Sequence, residues 1–200
     1  MEILKTNWIT YLSATSVYGD HNGEWVDENS KVNPLTENGK SRLNAEKIWI
    51  NLAKKKNLPI QIFRLSGIYS QERNILEKIK SGSHQIINKP NHFFSRIHVE
   101  DISNVLKITL DSKYIKPGEI YNLSDDYPCS NIEIANYAYE MMKVSKPKMI
   151  EINEIKNEML RNFYKDSKKV SNRKIKKVFS YKFKFPTYKE GLSRIYDHFI

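Results

Sequence analysis

Two hundred residues, 40% of them hydrophobic and with only 7 glycines and 7 prolines, suit one globular domain and exclude a disordered or low-complexity chain. No apolar run approaches the about 18 residues of a membrane span, and the single cysteine, Cys129, excludes an internal disulfide or a multi-cysteine metal site. The net charge of +10 is localised, since residues 161–184 carry 10 Lys/Arg against 1 Asp while the rest of the chain is nearly balanced.

The apolar run Trp8–Leu12 predicts a strand over about 8–13, which ends in Ser13-Ala14-Thr15-Ser16-Val17-Tyr18-Gly19-Asp20. A buried strand that ends in small hydroxyl residues and a Tyr-Gly turn brings side chains to the carboxyl edge of a parallel sheet. A polar, Gly-punctuated loop follows to Pro34. A helix over about 40–56 is expected to turn Ala45, Ile48, Trp49, Leu52 and Ala53 inward. Ile60–Leu65 is too apolar for a half-exposed strand and suits a parallel sheet covered on both faces. Strand, helix and strand at these lengths form a right-handed βαβ unit.

A short helix is expected over 73–81, a strand near Gln85–Asn88, and a helix over 99–112 with Ile102, Val105, Leu106 and Leu110 on one stripe. Glu119–Leu123 follows as a strand. Ser130-x-x-Glu133 is a capping box for a helix with Ile134, Ala138, Met141 and Met142 inward. Thr187-x-x-Glu190 opens a last helix carrying Leu192, Ile195, Tyr196 and Phe199. The alternation makes the class α/β.

Five segments in this order resemble one family. They are Ser13–Gly19; Asn38-Gly39-Lys40-Ser41-Arg42 with Glu46; Phe63–Tyr69 with Arg73-Asn74; Ser95-Arg96-Ile97-His98-Val99-Glu100-Asp101; and Ile120–Asp126. The chain is similar to the extended, atypical short-chain dehydrogenases of the NAD-dependent epimerase/dehydratase group, and Ser167–Asn172 and Pro186–Leu192 are similar to the tail of one subgroup. The resemblance implies the C-terminal part of a Rossmann-like parallel sheet with an interleaved small substrate lobe. That is one incomplete domain over 1–200, in which 1–70 is the residual sheet and 71–200 largely the lobe.

The resemblance also implies roles. Ser13 and Thr15 are the candidate catalytic hydroxyls. Arg42, Leu65, Ser66, Gly67 and Ile68 would meet NAD or NADP; Tyr18, Arg73, Arg96 and His98 would meet a small polar or sugar-nucleotide-like substrate. The family's Ser/Thr, Tyr and Lys fall on Ala14, Asn38 and Arg42, so the usual triad is absent. No G-x-x-G-x-x-G turn for a pyrophosphate occurs in the sequence. The absent units amount to about 90–120 residues at about 30 per βαβ unit. The expectation is a truncated or split enzyme whose dinucleotide binding needs a separately encoded N-terminal half. A non-catalytic remnant, or a binding or regulatory protein of the same fold, is the alternative.

Blander readings stand beside these. His98 could cap the helix at 99, Asp101 suits a first-turn helix acid, and Arg64 reads as a buried, hydrogen-bonded structural group. The basic tract with its interleaved aromatics raises nucleic-acid binding, but Val170, Ile175 and Val178 give it an inward face and its lysines an ordinary solvated one. The five histidines show no i, i+4 pair and no H-E-x-x-H, so no metal site is expected. With no signal-peptide shape at Met1–Asn7, the expected location is cytoplasmic.

Overall fold

The computed structural model describes residues 6–114 and 116–198. Its central sheet has three strands, β1 (Ile9–Ala14), β3 (Ile60–Leu65) and β7 (Ile120–Leu123), all parallel and ordered β1-β3-β7. The register sets Ala14, Leu65 and Leu123 side by side, so the three strands finish in one row. Three two-stranded pairs surround it. Parallel pairs join β2 (Trp25–Val26) to β9 (Lys169–Val170) and β4 (Gly67–Tyr69) to β6 (Arg96–His98). An antiparallel pair joins β5 (Phe93–Phe94) to β8 (Cys129–Ser130). Ser66 is the switch between sheets: its N–H donates to Leu123 O at 3.0 Å, and the next N–H, of Gly67, donates to Ser95 O at 3.0 Å.

Seven α-helices complete the described residues: α1 (Glu37–Lys56), α2 (Ile75–Lys80), α3 (Val99–Ile108), α4 (Asn131–Met142), α5 (Glu158–Phe163), α6 (Arg173–Phe179) and α7 (Tyr188–Tyr196). Alternation along β3 turns Phe63 and Leu65 to one face, where they meet Tyr121, Leu123, Ile102 and Val105 of α3, and Ile175 and Phe179 of α6. Arg64 turns to the other face, toward α1. A second core joins Tyr69, Leu76, Ile134, Tyr188, Leu192 and Ile195 across α2, α4 and α7.

The strands at 9–14, 60–65 and 120–123 follow the apolar pattern closely, and both predicted helix starts carry their caps. Ser130 accepts from the Glu133 N–H at 3.0 Å, but the Glu133 carboxylate accepts from Tyr188 Oη at 3.2 Å and leaves that box half formed, whereas Thr187 and Glu190 form a reciprocal box. Elsewhere the structure corrects the pattern. Helix α2 begins only at Ile75, because the Asn74 side chain caps it by accepting from Glu77 N–H. The strand near Gln85–Asn88 is reduced to one bridge, Ile87 to Ile150, and α3 ends at Ile108, short of 112. Phe199 lies outside the described residues.

The largest correction concerns α1. Its buried line is Gly39, Glu46 and Ala53, and Ile48 is 67% exposed. Glu46 makes the difference: it bonds two side chains under the sheet, and a helix can point only one stripe inward.

The basic tract is woven into the fold. Val170 and Ile175 are buried, Val178 packs on the main core, and Lys168, Lys174, Lys176 and Lys184 pair with Asp166, Glu119, Asp126 and Glu100. Ser167 ties it to the first loop. Its carbonyl accepts from His21 and Gly23 N–H at 3.1 and 2.9 Å, and its own N–H donates to Asp20 Oδ1 at 2.8 Å.

Two imidazoles make the fold sensitive to acid. His92 is 2% exposed, wedged between Phe94 and Tyr164; His84 packs on Tyr139. Burial first, then Lys89 beside His92 and Lys78 beside His84, lowers each from 6.5 to about 4. A base whose folded pKa is depressed contributes stability that is complete above about 6.5 and is lost as pH falls toward about 4. The expected slope is about 1.4 kcal/mol per pH unit for each imidazole in that window. His92→Phe keeps the ring in its aromatic niche and should remove one proton's worth of slope. Urea midpoints measured from pH 7 to pH 4 check this; equal slopes for the two proteins would refute it.

Candidate functional site

The site is built on the row Ala14–Leu65–Leu123 and on the segments that continue it: the 3-10 turn Thr15–Tyr18, Ser66–Tyr69 and Ser124–Asp126. Beneath it, on the α1 side, lies a buried polar chain. Ser13 Oγ donates to Glu46 Oε1 at 2.6 Å. Arg64 forks onto Glu46, Nε to Oε1 at 3.1 Å and Nη2 to Oε2 at 2.7 Å. The guanidinium sits over the Tyr18 ring at 4.8 Å, and Tyr18 Oη donates to Asn122 Oδ1 at 2.7 Å. Asn122 N–H in turn donates to Glu28 Oε1 at 2.7 Å. Burial raises the pKa of both Tyr18 and Glu28.

This chain takes up two of the residues predicted for the site. Ser13 is 3% exposed with its hydroxyl committed to Glu46, and Tyr18 is fully enclosed with its hydroxyl committed to Asn122. Both therefore hold the sheet edge in shape and offer no free group to a ligand. Thr15 is partly exposed and stands past the end of β1. Asn38 and Arg42, on the first turns of α1, are exposed, and Arg42 Nη1 donates to Leu12 O at 2.9 Å. Leu65 and Ser66 are buried in the turn, while Gly67 and Ile68 are open to solvent.

The β4–β6 pairing brings the two groups of predicted residues together, Gly67 opposite Arg96 and Tyr69 opposite His98. Arg96 bonds only neutral acceptors: Nη1 donates to Phe94 O at 3.2 Å, Cys129 Sγ at 3.2 Å and Cys129 O at 3.4 Å, and Nη2 to Asn131 Oδ1 at 2.6 Å. Among the described residues no carboxylate pairs with it. His98 caps α3: its Nδ1 accepts from Glu100 N–H at 3.2 Å, and its ring packs on Phe185 at 4.1 Å and on the Tyr69 edge at 5.0 Å. Burial lowers its pKa, consistent with a neutral ring whose Nδ1 accepts. Arg73 lies exposed on the turn before α2, and no hydrogen bond or ion pair ties it to this group.

Three more residues beside the site are given no ligand role by the sequence. Asp125 is 1% exposed, with Oδ1 accepting from Tyr127 N–H and Oδ2 unpartnered; burial raises its pKa well above the carboxylate range, against the opposing effect of Arg96. Its signal in the sequence is its place in the Ile120–Asp126 segment that carries the resemblance, two residues past the strand. Asp101 is a first-turn acid of α3 as expected, but it also accepts from Tyr181 Oη and from Lys184 and Phe185 N–H, anchoring the end of the basic tract. Cys129 is buried and its thiol is pushed up to about 12, so it is no nucleophile at neutral pH. Among the described residues no cluster of His, Cys, Asp and Glu could hold a metal ion. Nor is any helix among them long and apolar enough to cross a membrane.

No family model and no curated protein matches the sequence. Solved structures do. A functionally unknown conserved protein from Silicibacter pomeroyi is 38% identical, with a TM-score of 0.88 over 96% of this chain and 66% of that one. The dTDP-glucose 4,6-dehydratase DesIV from Streptomyces venezuelae, solved with NAD, is 15% identical, with a TM-score of 0.77 over 93% of this chain and 57% of that one. The UDP-glucuronic acid 4-epimerase from Bacillus cereus, in complex with UDP-glucuronic acid and NAD, is 18% identical, with a TM-score of 0.77 over 94% of this chain and 60% of that one. The chain thus spans 57–66% of the length of these structures. It has the Rossmann-like α/β fold of NAD-dependent epimerases and dehydratases.

Proposed function

We propose that this chain is the substrate-side part of an NAD(P)-dependent oxidoreductase or epimerase/dehydratase-like protein of the extended short-chain dehydrogenase type, acting on a small polar or sugar-nucleotide-like substrate. The observation that carries this reading is Arg96. A partly buried guanidinium with only neutral acceptors, one strand away from the open Gly67–Ile68 turn, keeps its charge for an anion such as a diphosphate. The residues present fit the nicotinamide-ribose end of a dinucleotide: an open glycine, the exposed apolar face of Ile68 and a cation at Arg42. Such a cofactor supplies hydride transfer when bound. The chain's own part is to orient the substrate between Thr15 and Arg96 and to keep the turn dry with Leu65 and Ile68.

The test uses uridine diphosphate as the probe. Calorimetric titration should show binding that Arg96→Ala weakens about 10- to 100-fold, the loss of one or two charge-assisted hydrogen bonds. Absence of binding, or equal affinity in Arg96→Ala, would overturn the reading.

A second reading has its own support. Ala14, Asn38 and Arg42 supply no titratable phenol or lysine, and the Ser13 hydroxyl is occupied. A protein that binds the nucleotide sugar without transforming it fits these residues. The two readings separate when this chain is fused behind the third of the Silicibacter pomeroyi protein that it does not cover. Heat of binding with NADH or NADPH supports the redox reading, and diphosphate binding without either supports the binding protein.

A further inference from the structure

Three tyrosines and a carboxylate converge where α4 meets α7. Glu133 and Tyr137 stand one turn apart on α4, so both project from one face of the helix. Tyr188, on the first turn of α7, is 1% exposed, and its Oη donates to Glu133 Oε1 at 3.2 Å. The third ring comes from the segment before β8. Asp126 N–H donates to Pro186 O at 2.8 Å, and Tyr127 N–H to Asp125 Oδ1 at 3.2 Å. These two bonds set Tyr127 beside Tyr188, at a centroid distance of 6.1 Å, while Tyr137 meets Tyr188 at 5.5 Å. Tyr188 thus joins the other two rings, which are the open ones: Tyr127 is 42% exposed and Tyr137 half-buried.

An ammonium already stands against two of these rings. Lys189 Nζ lies 5.9 Å from the ring centre of both Tyr127 and Tyr137. That is the outer limit of a cation–π contact, which extends to about 6 Å. Lys189 is exposed and makes no ion pair among the described residues. A primary ammonium holds its water tightly, which keeps it at the rim. The surrounding charge favours a cation closer in. A hydrogen bond to Glu133 raises the Tyr127 pKa, and burial, then Glu190 and Glu140, raises that of Tyr137. The carboxylates' share of these shifts is negative charge beside the rings, which adds to the negative potential of their faces.

We propose that Tyr127, Tyr137 and Tyr188, with Glu133, form a cage for a small soluble quaternary ammonium compound of the choline type, and that Lys189 occupies it when no ligand is bound. Methyl groups around a nitrogen spread its charge and weaken its hydration. Such a cation therefore leaves water at lower cost than the lysine and sits closer to the ring faces. The Glu133 carboxylate balances its charge. The cage is held ready for it, because the Thr187–Glu190 box fixes the start of α7 and Ser130 caps α4. None of the residues assigned above to a nucleotide takes part, so the cage stands or falls independently of the proposed function.

Choline chloride is the probe, followed by NMR titration of the tyrosine ring resonances. We expect millimolar binding that Lys189→Ala tightens about 10-fold, since it removes the competing ammonium. Tyr137→Leu, which keeps an apolar side chain but no π face, should weaken binding about 10-fold or more. Tyr127→Leu replaces an exposed ring and should weaken it likewise with an unchanged urea midpoint, which separates loss of the cage from loss of the fold. The uncharged isostere 3,3-dimethylbutanol should not bind. No choline binding even in Lys189→Ala, equal binding of choline and its isostere, or full affinity in both leucine variants would each overturn the cage. Equal affinity in the native chain and Lys189→Ala would overturn the role of Lys189. Sedimentation with phosphatidylcholine vesicles, without binding of free choline, would make a lipid headgroup the occupant and overturn the soluble ligand.

Discussion

Gly19→Ala is expected to destabilise the fold by about 2–5 kcal/mol, the sum of a forbidden backbone and a collision. Gly19 has φ 71 and ψ -151, a region closed to residues with a side chain. A Cβ there would lie 1.9 Å from Asn33 O and 2.8 Å from Asn33 C, both backbone atoms that no rotamer change can move. The contact belongs to the first loop's closure, in which Asn33 N–H donates to Tyr18 O at 3.1 Å, so relief would pull at Tyr18 and the buried chain behind it. Gly118→Ala separates the two causes. Gly118 has φ 79, and a methyl group there would meet nothing within 4 Å, so it bears strain alone. Its replacement should lose only about 1–3 kcal/mol. Urea denaturation of the two variants makes the comparison; equal losses would remove the collision from the account.

Glu46→Ala should cost about 3–5 kcal/mol, because it strands a charge in the interior. Glu46 and Arg64 are 1% and 4% exposed at their side chains and are joined by a fork of two hydrogen bonds. With the carboxylate gone, Arg64 keeps only its contacts with Tyr18. The double variant Glu46→Leu with Arg64→Met should regain most of that loss, since apolar replacement of a buried pair is often neutral. Recovery is incomplete because Ser13 Oγ loses its acceptor. Chemical denaturation of the two single variants and the double measures the coupling. A single-variant loss below about 1 kcal/mol would show that the pair is solvated and has no such role.

Both predictions meet at one place, the turn from β1 into Tyr18. Gly19 closes the loop above it and Glu46–Arg64 supports it from below, so each variant should also weaken diphosphate binding through displacement of the sheet edge. Neither residue touches the proposed ligand, and a binding loss without a stability loss would contradict this arrangement.

The sequence by itself determined the periodic part of this protein. Alternating and continuous apolar runs located β1, β3 and β7, and the Ser130 and Thr187 caps located α4 and α7, because these signals depend on neighbours a few residues away. The reading of Arg64 as a buried structural group also came from local contrast, one cation within an otherwise apolar strand. Tertiary structure alone decided which face of α1 is buried. Burying Glu46 against Arg64 outweighs burying Ile48, a choice set by a charge 18 positions away. The same holds for Ser13 and Tyr18, whose hydroxyls looked available until Glu46 and Asn122, 33 and 104 residues distant, took them up. It also holds for Arg96, whose lack of an acidic partner depends on how β5, β8 and α4 converge around it. Short-range patterns fix elements; the pairing of buried polar groups is settled only when distant segments compete for the same partner.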